Sequence, residues 1–153
     1  MTDERHIKFM KLALKQAVAA AEDDEVPVGA VIVHDNQIIG QAHNQVERLK
    51  DATAHAEMIA ITQAASALGD WRLTDTVMYV TKEPCPMCAG AIVLARIPHV
   101  VWGMTDPQHG GAVSLFNILQ TSELNHRSEF TAGVLEDECR KLIQAFFRKR
   151  RTS

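Results

Sequence analysis

Two short stretches hold residue types that can do chemistry together: Thr53-Ala-His-Ala-Glu-Met-Ile-Ala60 and Glu83-Pro-Cys-Pro-Met-Cys-Ala-Gly90. Cys85 and Cys88 are three apart, so on a helix both sulfurs face the same way. Pro86 suits a first helical turn, where a missing N–H costs nothing. The cysteines therefore open a helix, whose free N–H groups and positive dipole end favour thiolate. Two thiolates call for a cation. A Cys-x-x-Cys at a helix start also fits a redox dithiol or half of a four-ligand structural zinc site. The third cysteine, Cys139, stands alone on the apolar face of the last helix and reads as core.

His55 also opens a helix, with Thr53 as a candidate N-cap. One histidine and two cysteines make three protein ligands, the number that holds a catalytic zinc and leaves a fourth position for water. Within a helix, His55 and Glu57 at i, i+2 would point to nearly opposite sides. At the first turn a group beyond the axis end is reachable from different azimuths. From there His55 can bind a metal while Glu57 reaches its water, so Glu57 is expected to be an acid–base group rather than a ligand.

These motifs need elements to hold them. Ile7, Met10, Leu14, Ala17 and Ala21 recur at helical spacing, so residues 4–22 read as an amphipathic helix. The β-branched run 28–33, the turn residues Asp35-Asn36-Gln37 and the segment 38–40 read as a hairpin. A helix is expected over 54–68 with Gly69 as its C-cap, then a strand over 76–81. Residues 86–96 read as a helix stopped by Pro98, and 99–103 as a strand, which together make a parallel βαβ unit. The Gly- and Pro-rich segment 104–112 reads as a loop, 114–119 as a short helix, 120–129 as another loop, and 135–149 as the closing helix. The expected architecture is a mixed sheet between helices.

The chain has 153 residues, which fits a single domain over 1–153 with a full core. With 46% hydrophobic and 23% charged residues it has an ordinary globular composition. No apolar stretch approaches the ~20 residues of a membrane span. The acidic N-terminal residues lack the apolar centre of a signal peptide, so a cytoplasmic location is expected. A net charge of −3 offers no general attraction to nucleic acid, but Arg148-Lys149-Arg150-Arg151 concentrates positive charge at the end of the last helix, about 140–151. Taken alone, that run is also what a solvated tail looks like.

His-x-Glu followed by Pro-Cys-x-x-Cys is the signature of zinc-dependent nucleobase deaminases. With "EVPVGAV" (25–31), "DATAHAEM" (51–58), "YVTKEPCPMCAGA" (79–91), "NHR" (125–127) and "FFRKRR" (146–151), the chain resembles the bacterial tRNA-specific adenosine deaminases of the cytidine deaminase-like superfamily. The resemblance implies a three-layer α/β/α sandwich around a roughly five-stranded mixed sheet, one zinc ion per subunit and a homodimer. It implies hydrolysis of the wobble adenosine to inosine in the anticodon stem-loop of tRNA-Arg(ACG). His55, Cys85 and Cys88 match the zinc ligands, and Glu57 matches the proton shuttle. Asn44 matches a nucleoside contact and Ala54 a backbone contact to the base. Val28 matches the pocket mouth, and Asp106 a loop residue near the ribose. Arg127, Arg148, Arg150 and Arg151 are candidate RNA contacts. One departure stands out: Val113 occupies a position before Ser-Leu where a glycine is expected. Two rivals share the motifs, a deaminase of a small base or nucleotide such as guanine, cytosine or dCMP, and a structural zinc module that binds RNA. A thiol oxidoreductase would leave His55 and Glu57 without a task.

Overall fold

The structure, a computed structural model, describes residues 3–152. Helix α1 (Glu4–Glu22) opens on Asp3, whose carboxylate accepts the Arg5 N–H at 2.8 Å. Strands β1 (Gly29–His34) and β2 (Gln37–His43) follow as the expected hairpin, closed by Asp35 and Asn36 at φ 51° and 62°. Two consecutive positive φ values match the right-handed twist of the paired strands. A one-turn helix α2 (Val46–Leu49) leads to α3 (Ala56–Leu68), which ends on Gly69 at φ 68°. Strand β3 (Thr76–Lys82), helix α4 (Pro86–Leu94) and strand β4 (His99–Met104) form the βαβ unit, with β3 and β4 parallel. Strand β5 (Glu129–Ala132) and α5 (Glu136–Thr152) complete the chain.

The five strands form one mixed sheet in the order β2-β1-β3-β4-β5. β1 pairs antiparallel with β2 and β3, and β4 pairs parallel with β3 and β5. Central strands buried on both faces need apolar residues throughout. Ala30 and Ile32 of β1 face one way and pack with Ala56, Ala60 and Ala64 of α3 and Ile92 of α4. Val31 and Val33 face the other way, toward Phe9, Met10 and Ala13 of α1 and Cys139 of α5. The three-layer sandwich follows from this alternation, and Cys139 is core, as its position on the helix implied.

Four boundaries differ from the sequence expectation. The helix expected over 114–119 is a run of turns and bends, because the Leu115 and Phe116 N–H groups both go to the Gly110 carbonyl and the Leu119 N–H to Ala112, none of them four residues back. The Ile118 N–H reaches back to the Gly111 carbonyl at 3.1 Å, outside any helical ladder. Thr53 does not cap α3: it sits in an Asp51 turn, its N–H and hydroxyl both on Asp51 Oδ1, and the N-cap is His55. The segment 129–132, of which only 129 falls in an expected loop and 130–132 carry no assignment, is edge strand β5, only four residues long and largely exposed. The closing helix starts at Glu136, after Leu135 at φ 55°, and runs beyond Lys149 to Thr152.

Where α1 crosses β1, the two backbones touch. A Cβ on Gly29 would overlap the Ala13 carbonyl oxygen and lie 2.6 Å from the Ala17 nitrogen. Neither is a flexible side-chain end that can move aside. Gly29→Ala is expected to lower the free energy of unfolding by about 3 kcal/mol, the upper range for an overfilled core, measured as a fall in the urea midpoint. An unchanged midpoint would show that α1 does not lie this close to the sheet.

Candidate metal centre

The ends of β2 and β3 deliver two helix N-termini to one place. His55 is the N-cap of α3, with extended backbone (φ −79°, ψ 152°), and Cys85 is the N-cap of α4 (φ −70°, ψ 173°) with Pro86 at N1. Neither cap residue spends its side chain on its own helix. For α3 that task falls to Asn44, whose Oδ1 accepts the Ala56 N–H at 2.8 Å. The imidazole of His55 is thereby left to the sulfurs. Its Nδ1 lies 3.6 Å from Cys85 Sγ and 3.6 Å from Cys88 Sγ, and all three donor atoms lie within 4.8 Å of one another.

Those distances fit a metal. With Zn–S near 2.3 Å and Zn–N near 2.0–2.1 Å, the N···S edge of a tetrahedron is about 3.6 Å. The charge distribution fits as well. Cys85 is pulled down to about 4 by the hydrogen bond from Cys88, which holds the shared proton and is correspondingly pushed up. His55 is raised, first by its hydrogen bond to Cys85. A cation replaces the shared proton and takes both sulfurs as thiolates. The donor set of one imidazole and two thiols can therefore hold a soft or borderline divalent ion with three protein ligands.

Glu57, in the first turn of α3, is 3% exposed and is not one of these donors. Burial raises its pKa, against the opposing pull of its own N–H and of His55. It lies in the wall of a cavity of about 350 Å³, together with Val28, Asn44, His55, Cys85 and Asp106. Asp106 is fixed by Lys82 Nζ at 3.0 Å; burial pushes its pKa up, but Lys82 and the His109 and Gln108 N–H groups outweigh this and hold it low. Ala54 is buried beside His55, its N–H on the Asp51 carbonyl and its carbonyl on the Gln45 N–H.

The four arginines divide. Arg150 reaches the cavity mouth with Phe147, and its guanidinium donates to the Asp24 carbonyl at 2.8 Å. Arg148 and Arg151 lie on another groove of α5, and Arg127 is exposed in the loop before β5. Sequence reasoning assigned no task to two further cavity residues, Glu25 and Glu83, each 2% exposed. Glu25 accepts the Glu47 and Arg48 N–H groups at 3.0 and 2.8 Å and so caps α2. The available signal was an acid embedded in apolar or proline-rich sequence at a strand end: Glu25 before Val-Pro-Val, Glu83 before Pro-Cys-Pro.

Residues 4–151 match the MafB19-like deaminase family. The chain is 50% identical over 143 residues to the tRNA-specific adenosine deaminase of Bacillus subtilis, covering 94% of this chain and 89% of that one. It is also 50% identical over 145 residues to the tRNA-specific adenosine deaminase of Aquifex aeolicus, covering 95% of each. A solved structure from a study of A-to-I editing by tRNA:A34 deaminases superposes with a TM-score of 0.85 at 41% identity, covering 88% of this chain and 98% of the other.

The centre makes a direct prediction. Purified protein carries about one divalent metal per chain, measured by plasma mass spectrometry after dialysis. His55→Ala and Cys88→Ser lose it, and Glu57→Gln keeps it. Equal metal loss in all three variants would make Glu57 a ligand.

Proposed function

The chain belongs to the family of tRNA-specific adenosine deaminases, and from that premise we propose that it hydrolyses the wobble adenosine of tRNA-Arg(ACG) to inosine, releasing ammonia. The observation that carries this reading is the His55 imidazole, 3.6 Å from each of two sulfurs, with the buried Glu57 carboxyl in the same cavity wall. The metal is zinc, held by His55, Cys85 and Cys88, and residues 1–153 act as one deaminase domain. Zinc bound there supplies Lewis acidity that lowers the pKa of water from ~16 toward ~7.

Glu57 moves the protons. Its carboxylate takes one from the attacking water, delivers it to N1 of adenine, and passes the next to the departing amino group. A carboxyl raised by burial holds a proton closer to neutrality than an exposed one, which suits a group that must both accept and return it. Asn44 spends its Oδ1 on Ala56, so its amide NH₂ is the group available to the nucleoside. Val28 forms an apolar wall, Ala54 offers its backbone to the base, and Asp106 faces the ribose.

The anticodon stem-loop is held by phosphate contacts from Arg127, Arg148, Arg150 and Arg151, since a chain of net charge −3 needs its positive charge concentrated at the RNA. The protein works in the cytoplasm; no helix of the described residues is long and apolar enough to cross a membrane. It is a homodimer. Supporting this, Trp71 and Leu94 are 54% and 70% exposed and border one apolar depression with Ile61 and Ala91 of α3 and α4.

Incubation of the protein with the ACG-anticodon tRNA, followed by digestion and mass spectrometry, is expected to show inosine at the wobble position. Intact adenosine, with ammonia released from free guanine or cytidine instead, would refute the substrate. Glu57→Gln is expected to reduce turnover by at least ~10²-fold, the lower end for loss of a general acid–base group. The Leu94→Glu variant is expected to elute as a monomer in gel filtration, and a dimer of unchanged affinity would move the interface elsewhere.

A further inference from the structure

We propose that Glu83 is a positioning residue that locks the 104–114 loop onto the turn carrying Cys85, and so sets the affinity for the RNA substrate. This rests on the deaminase reading for its substrate. It does not rest on it for the loop.

Glu83 is buried, and its two oxygens accept four hydrogen bonds from that loop. Oε1 takes the Asp106 N–H at 3.1 Å and the Ser114 hydroxyl at 2.5 Å. Oε2 takes the Val113 and Ser114 N–H groups, both at 3.0 Å. Four donors fill the roughly four lone-pair sites of a carboxylate. Glu83 therefore has no capacity left for a substrate proton, although it shares a cavity with Glu57.

Its neighbours grip the same segment. The Glu83 N–H donates to the Met104 carbonyl at 2.8 Å, the Pro84 carbonyl accepts the Gly111 N–H at 2.8 Å, and Lys82 holds Asp106. Three consecutive residues at the end of β3 thus bind the loop just before the chain reaches Cys85. The loop has the residues for this approach. A Cβ on Gly110 would come within 2.5 Å of the Glu83 carboxylate, and one on Gly111 would overlap Pro86. Val113 takes part through its N–H and holds an ordinary negative φ, so the loss of the expected glycine leaves this contact intact.

Glutamine has the same shape but replaces one acceptor oxygen with a donor. In either orientation at least one loop N–H then faces an amide NH₂. A loosened loop must be ordered again when RNA binds, which raises KM and leaves chemistry on the bound substrate alone.

The test compares wild type with Glu83→Gln on an anticodon stem-loop, together with metal content, Tm and amide hydrogen exchange. The expected result is a KM raised ~10-fold with kcat within ~3-fold, retained metal, and faster exchange confined to 104–114. A fall in kcat at unchanged KM would place Glu83 in the chemistry and overturn the proposal. So would a lower Tm with both constants unchanged, which marks a purely structural role. Should Glu83→Gln not fold, Ser114→Ala removes only the hydroxyl contact and is expected to raise KM ~2- to 3-fold with the same exchange signature; no change in either overturns the proposal. Wild type inactive on the stem-loop refutes the deaminase reading instead, and exchange in 104–114 then decides on Glu83 alone, with unchanged protection counting against it.

Discussion

The structure depends on bringing one imidazole, two thiols and a carboxyl together at one cavity, with Cys88 and Glu57 buried and His55 and Cys85 half-buried. Burial of anionic groups is costly unless something positive or hydrogen-bonding meets them. Part of the compensation is built into the backbone, since His55 and Cys85 sit at the N-termini of α3 and α4, where free N–H groups converge. That partial charge does not suffice. The hydrogen bond to Cys85 and burial still push the Cys88 thiol up, and burial raises Glu57, so a cation at the His55, Cys85 and Cys88 donors is the charge that would let both sulfurs be thiolates. The sheet exists, in functional terms, to hold these two helix ends at the separation a single ion can bridge.

Three buried glutamates in the cavity wall are distinguished by how many donors they meet. Glu83 meets three backbone N–H groups and a hydroxyl, and Glu25 meets two backbone N–H groups, so both are committed to holding chain segments. Glu57 projects from the first turn of α3 beside the ligands, and burial rather than donors dominates its protonation. A carboxylate whose lone pairs are taken by chain donors has none left for a substrate proton. A carboxyl whose neutral form is favoured can exchange a proton. The same residue type thus holds chain segments on two walls and on the third is left for the proton transfer proposed for Glu57, according to the local supply of donors.

Much of this was legible in the sequence because it is local. The helix starts, Pro86, the Gly69 stop and the alternation in β1 are decided within a few residues, and the His-x-Glu and Cys-x-x-Cys spacings place donors at helix ends. What escaped is decided by distant partners. The segment 114–119 is not a helix because the Leu115, Phe116, Ile118 and Leu119 N–H groups fold back to the carbonyls of 110–112. Glu83, thirty residues before Val113, anchors its start through the Val113 and Ser114 N–H groups, and no local pattern announces that. The Thr53 cap fails because Asp51 claims that threonine, while Asn44 serves α3 from the end of β2. Strand β5 is too short and exposed to show a period of two, and it forms because β4 offers an edge.

The same division separates chemistry from substrate choice. Groups at the two helix ends are held by short-range geometry that any chain with these motifs must reproduce. The walls come from loops whose conformation is imposed by side chains elsewhere: Asp106 by Lys82 and Glu83, α2 by Glu25, and the α5 end by the Arg150–Asp24 contact. Loop positions that contribute only an N–H, as Val113 does, tolerate a change of side chain. Positions that must admit a close backbone, as Gly111 does against Pro86, do not. A departure from a family pattern at such a loop is therefore judged by which backbone atom the position supplies, and at Val113 that atom is in place on Glu83.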